Sequence, residues 1–150
     1  MDTLIILDNI PIKEKKTQQV MNINNKIYTI VPDKYENNKS WPELCNWDCY
    51  NCTCEIVTRP YFVSNVVIDD IHYRGNNPLF CTDRCTAAEI VKIQDPEERN
   101  LKFEYLKNLH YKFTGKKPKC IFPAKDKSCI INYGGYMTKA EYRENLKNNI

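Results

Sequence analysis

Four cysteines in two close pairs carry the strongest chemical signal in this chain. The first pair lies in Asp48-Cys49-Tyr50-Asn51-Cys52, the second in Leu79-Phe80-Cys81-Thr82-Asp83-Arg84-Cys85. A C-x2-C pair fits on one tight turn with both sulfurs aimed at one point. A C-x3-C pair at the start of a helix brings two more thiolates there, where unpaired N–H groups and the helix dipole favour negative charge. Four such sulfurs form the tetrahedral shell that a structural Zn²⁺ prefers. Cys49, Cys52, Cys81 and Cys85 are therefore the expected ligands of one structural Zn²⁺. Their spacing, with 28 residues between the pairs, fits a treble-clef-like finger, in which a β-turn gives two ligands and a helix N-terminus two.

The other thiols and the histidines are weaker candidates. Cys45 and Cys54 flank the first pair, and either could substitute as a ligand, but a zinc shell closes at four. Cys120 and Cys129 lie far off in sequence and read as core or surface thiols. Arithmetic also allows a second site from Cys45, Cys54, Cys120 and Cys129. His72 could replace a cysteine, and His110 falls on a helix; both read as packed or surface residues. No zinc-deaminase pattern, Gly-rich phosphate loop, Walker lysine or G-x-S-x-G occurs, and Cys49/Cys52 lack a βαβ context, so the chain is not expected to be an enzyme.

Elements must position those pairs. Ile27–Val31 reads as a short strand closed by Pro32, and residues 33–40 read as a linker. Glu55–Thr58 is strand-like, residues 61–73 hold further strands, and Gly75-Asn76-Asn77-Pro78 is a turn that delivers Cys81. A first helix is predicted from Thr82 to about Ile93, with Ala87, Ala88, Ile90 and Val91 available for packing. A second starts with Asp95 as N-cap and Pro96 in the first helical position and stops at Gly115. Leu101, Tyr105, Leu106, Leu109 and Phe113 form its apolar face. Thr138 and Glu141 make a capping box for a short terminal helix bearing Tyr142 and Leu146. The fold class is thus α+β: a small zinc finger of β-hairpins plus a helix, extended by a second helix and irregular arms. Three segments follow: 1–40 as an N-terminal arm with one strand, 41–115 as the zinc-finger domain with two helices, and 116–150 as a basic C-terminal extension.

Charge divides along the same lines. Residues 41–90 carry three arginines, no lysine and seven acids, a balance of −4, whereas residues 91–150 carry thirteen basic and seven acidic side chains, or +6. An acidic finger disfavours phosphate tracking. Any polyanion contact belongs to the C-terminal third, where Lys116, Lys117 and Lys119 form the densest cluster, with Lys112, Lys125 and Lys127 nearby; a solvated loop is the plainer reading. No apolar run reaches membrane-spanning length and Met1-Asp2-Thr3 does not open a secretory signal, so an intracellular, reduced chain is expected. Neither a membrane nor a small-molecule substrate is expected as a partner.

These residues resemble the MYM/FCS-type zinc finger. More closely, they resemble the viral late transcription factor 2 family of large nucleocytoplasmic DNA viruses. The resemblance rests on Asp48-Cys49-Tyr50-Asn51-Cys52, Arg59-Pro60, Leu79 to Ala88, Arg99-Asn100-Leu101, Phe113 to Lys116, and Tyr133-Gly134-Gly135-Tyr136-Met137-Thr138 with Glu141-Tyr142-Arg143. Cys45 and Cys54 are additions to that pattern. The resemblance implies a non-enzymatic trans-activator of late genes that works with a viral RNA polymerase or other late transcription factors. It would act in the host cytoplasm, in the viral factory, or in the virion. An acidic finger suits protein docking with weak DNA contact from the basic tail. The alternative is a zinc-stabilised virion structural or assembly adaptor.

Overall fold

The computed structural model describes residues 20–23, 26–125, 130 and 134–148. Cys129, Lys127, Tyr133 and the N-terminal residues 1–19 lie outside them. The architecture is mixed α and β, with small antiparallel sheets and, among the described residues, three helices.

Strands β1 (Val20–Ile23) and β2 (Lys26–Thr29) form a hairpin in which Val20 faces Thr29. The strand expected at 27–31 is its second arm. The hairpin is tied down at its end. Asn46 Oδ1 accepts from the Thr29 N–H at 3.0 Å, the Trp47 indole donates to the Thr29 carbonyl, and Tyr28 stacks on Trp47 with centroids 4.3 Å apart.

The stretch 33–40, expected as a linker, contributes β3 (Lys34–Tyr35) instead. It forms the edge of a three-stranded sheet with β6 (Ile71–Tyr73) and β5 (Val66–Ile68), in the order β3-β6-β5. Tyr35 lies opposite His72 in the register and both are buried. One apolar position in a polar stretch is a weak periodicity signal, so its burial is decided by the sheet. Asp69 and Asp70, at φ of 54° and 68°, make the mirror-image turn that suits the twist of a two-residue β5–β6 hairpin.

Strands β4 (Tyr61–Phe62) and β7 (Leu79–Phe80) pair antiparallel, Tyr61 opposite Phe80. The expected strand at 55–58 is absent. Glu55 makes a single bridge with Asp48, because the turn that carries the first cysteine pair offers only one short arm to pair with.

Helix α1 (Asp83–Ile90) is shorter than predicted. Thr82 caps it through its side chain, which accepts from the Cys85 N–H. Beyond Ile90 the N–H groups of Lys92 and Ile93 reach back only three residues, to Glu89 and Ile90. This tightening ends the helix and leaves Val91, expected to pack, exposed. Helix α2 (Pro96–Thr114) has Pro96 in its first turn and ends at Gly115, whose φ of 83° is the left-handed cap. Asp95 is extended, but its side chain makes no cap hydrogen bond. Leu106 and Leu109 are buried and Tyr105 and Phe113 half-buried. Leu101, expected inward, is 48% exposed, because it lies about 100° off the line running through Leu106 and Leu109. Helix α3 (Lys139–Asn148) carries the predicted capping box: the Thr138 N–H donates to Glu141 Oε1 at 2.8 Å and the Glu141 N–H to Thr138 Oγ1 at 3.0 Å.

The core lies between the sheets and α2. Trp41 packs edge-on to Tyr35 and against Phe62, with centroids at 5.8 and 5.2 Å, and its indole donates to the Pro60 carbonyl. Ile56, Phe80, Ile90, Leu106 and Leu109 complete it.

Candidate metal centre

The chain brings Cys49, Cys52, Cys81 and Cys85 together. All four are buried, and their sulfurs lie within 4.8 Å of one another. Cys49 and Cys52 flank a tight turn. The Cys49 N–H donates to the Cys54 carbonyl at 2.8 Å and the Ile56 N–H to the Trp47 carbonyl at 2.8 Å, pairing the arms of the turn. Thr53 closes it at a φ of 66°, a left-handed conformation costly for a β-branched residue. The Thr53 N–H, donating to the Cys49 carbonyl at 2.9 Å, holds it there. One further bond brings the pairs together: the Tyr50 N–H donates to the Leu79 carbonyl at 3.0 Å, two residues before Cys81. Cys81 follows β7 directly, and Cys85 occupies the first turn of α1.

The spacing fits a metal shell. The Cys52–Cys81 and Cys81–Cys85 sulfurs are 3.6 and 3.8 Å apart. A tetrahedron with metal–sulfur bonds of about 2.3 Å has edges of about 3.8 Å. A disulfide needs about 2.05 Å, and the seven described cysteines are all free. Taken as thiols, the sulfurs share protons. S–H donation from Cys52, joined by Cys81 and Cys85, holds the Cys49 thiol far below the usual range, and Cys49 in turn pushes Cys52 and Cys81 up. A divalent cation bound there takes the place of those protons, so metal binding releases them. The donor set is thus fit to hold a metal ion.

The remaining candidates are placed elsewhere. Cys45 is buried in the core and Cys54 is half-buried; burial pushes both thiols up. Among the described residues neither joins the four-sulfur group. Cys120 is exposed. Lys116, Lys117 and Lys119 are exposed on the loop after Gly115, whereas Lys112 is ion-paired to Asp70 at 2.8 Å. The three arginines of the acidic segment all clamp backbone carbonyls. Arg59 reaches those of Asn38 and Trp41, Arg74 those of Val31, Pro32 and Asn77, and Arg84 those of Phe122 and Pro123.

Both histidines are packed. His110 contacts Asp83 at 2.8 Å, linking α2 to the first turn of α1. His72 bridges Ser64 and Asn108, each at 2.7 Å, a serine–histidine–amide alignment that sequence spacing did not suggest. Ser64 and His72 are 2% and 0% exposed, so a substrate has no access, and the network joins the three-stranded sheet to α2. The sequence also missed Asn51 as a neighbour of the sulfurs. Its position between two ligands was the only signal available. No helix among the described residues is long and apolar enough to cross a membrane. Compared with known proteins, this chain matches no family model, no curated protein and no solved structure.

Proposed function

We propose that this chain is a zinc-held docking protein of viral late transcription. One Zn²⁺ on Cys49, Cys52, Cys81 and Cys85 staples a treble-clef-like unit, made of the cysteine turn, the β4–β7 pair and the N-terminus of α1. The observation that carries the zinc reading is the buried set of four sulfurs at tetrahedral spacing, offered by a turn and a helix N-terminus. All-thiolate donors select zinc over hard cations, and a closed shell of four leaves no open position for substrate, which is the pattern of a structural site.

The transcriptional reading draws on the resemblance and on charge. Four thiolates around Zn²⁺ leave a net charge of −2, in a segment that is already acidic. Its arginines are engaged with backbone carbonyls, so this surface suits a protein partner, namely a viral RNA polymerase or another late transcription factor. Weak DNA contact is assigned to Lys116, Lys117 and Lys119. No catalytic role is proposed.

Two measurements test the reading. Elemental analysis of the purified chain should give one zinc per molecule; its absence sinks the metal assignment. A tagged chain recovered from infected cells should bring down RNA polymerase subunits. Recovery with capsid proteins instead would replace transcription with the virion adaptor role.

A further inference from the structure

Asn51 lies between two of the sulfur donors and is 6% exposed. Its side-chain amide nitrogen faces three acceptors: the Tyr142 hydroxyl oxygen at 2.8 Å, Cys85 Sγ at 3.4 Å and the Lys125 carbonyl at 3.5 Å. An amide nitrogen has two hydrogens. One goes to Tyr142. The second has the Cys85 sulfur at 3.4 Å, short for a sulfur acceptor, and the Lys125 carbonyl, which also accepts the Tyr142 O–H, at 3.5 Å, the outer limit for an oxygen acceptor, so the sulfur is its better partner. The opposite orientation of the amide would set its oxygen against a thiolate and leave the Tyr142 oxygen without a donor. The orientation is therefore fixed by the network itself.

Tyr142 belongs to α3, 91 residues from Asn51 in sequence, and is 1% exposed. Its hydroxyl donates to the Lys125 carbonyl while accepting from the Asn51 amide. The next residue, Arg143, sets a cation near Cys54 and, beyond it, Cys81 and Cys52. The segment that carries Lys125 is stitched to α1 by Arg84 and by the Ala124 N–H, which donates to the Arg84 carbonyl at 2.9 Å.

We infer that Asn51 and Tyr142 are positioning residues of the metal centre: Asn51 donates to the Cys85 thiolate, and Tyr142 holds Asn51 while docking α3 on the cysteine turn. Metal retention and the docking of α3 are then linked, and the linkage is reciprocal. A filled shell gives Asn51 a thiolate to donate to. A docked α3 keeps that donor aimed and keeps water from the sulfurs. Groups that hydrogen-bond metal ligands commonly change metal affinity by about 10–100-fold when removed. This inference rests on the zinc reading above.

The test uses the full chain with Asn51→Ala and Tyr142→Phe. The second variant keeps the buried ring and removes only the hydroxyl, so it remains informative if Asn51→Ala fails to fold. Two quantities are read: zinc affinity by competition with a chromophoric chelator, and amide hydrogen exchange of residues 139–148 in the zinc-loaded protein. Cobalt(II) substitution adds a third, since the sulfur-to-cobalt absorption band shifts when a thiolate loses an N–H donor. Both variants should hold zinc about 10-fold more weakly or worse, exchange faster across α3, and shift the band. Zinc affinity within twofold of wild type in Tyr142→Phe, with α3 exchange unchanged, overturns the inference while leaving zinc binding intact. A wild-type chain that binds no zinc overturns both.

Discussion

The two ends of α1 rest on different physics. Around its N-terminus the buried side chains are mostly small, four cysteines, Thr86, Ala87 and Ala88, with Tyr142 of α3 the large exception. Backbone hydrogen bonds shape the turn, and little apolar area is there to be buried. Toward its C-terminus and α2 the buried side chains are large: Tyr35, Trp41, Phe62, Phe80, Ile90, Leu106 and Leu109. That end is held by area removed from water, at about 25 cal/mol per Å² of apolar surface, and by edge-to-face ring contacts. On the proposed zinc reading one end depends on a cross-link and the other on packing, and a shared eight-residue helix connects them. A small domain that cannot fill its whole volume with large side chains can close the remainder with metal–sulfur bonds.

The largest effect should come from breaking the cross-link. Cys81→Ser should lose zinc and unfold the chain, because zinc binding in small fingers is worth about 10–16 kcal/mol and most of that is folding free energy. Elemental analysis and a thermal melt check this; full zinc content in the variant would show that the cysteine end does not need its fourth sulfur.

Next in size is the packed end. Leu109 is fully buried, so Leu109→Ala should cost about 2–5 kcal/mol in a urea melt with zinc content unchanged. Leu101→Ala, on the exposed side of the same helix, should stay within about 0.5 kcal/mol. Equal losses from the two would mean that α2 lies on the core in a different rotation.

A pH series sharpens the comparison further. Burial holds the His72 pKa below its ordinary value, so the folded state keeps His72 neutral where the unfolded chain would take up a proton. Its contribution is complete above about pH 6.5 and is lost as pH falls from there toward the folded pKa, with a slope of at most about 1.4 kcal/mol per pH unit. Urea midpoints from pH 8 to pH 5 should fall more steeply in the wild type than in His72→Gln. Parallel curves would assign all the acid sensitivity to protonation of the thiolates.

The smallest expected effect is on stability and the most selective is on binding. Replacing Lys116, Lys117 and Lys119 with Ala should leave the melt unchanged, since all three are exposed. It should flatten the dependence of log DNA affinity on log salt by about two to three units. An unchanged slope would make that loop merely solvated.

The sequence alone made the four-sulfur group and most helix ends legible, though α1 stops at Ile90 rather than about Ile93. Both are local signals. Cys49-x-x-Cys52 and Cys81-x-x-x-Cys85 need only a turn and a helix start, and the Pro96, Gly115 and Thr138/Glu141 boundaries are read within one turn of chain. Tertiary structure decided what depends on distant partners. Tyr35 became core because β6 lies beside it, and Leu101 faced water because the rotation of α2 is set by the sheet beneath. Glu55–Thr58 had no strand to pair with beyond one bridge. Asn51 and Tyr142 met across 91 residues, a contact no periodicity encodes. Local hydrogen bonding and capping are written in neighbouring residues, whereas burial and register are properties of surfaces that exist only once the chain has closed on itself.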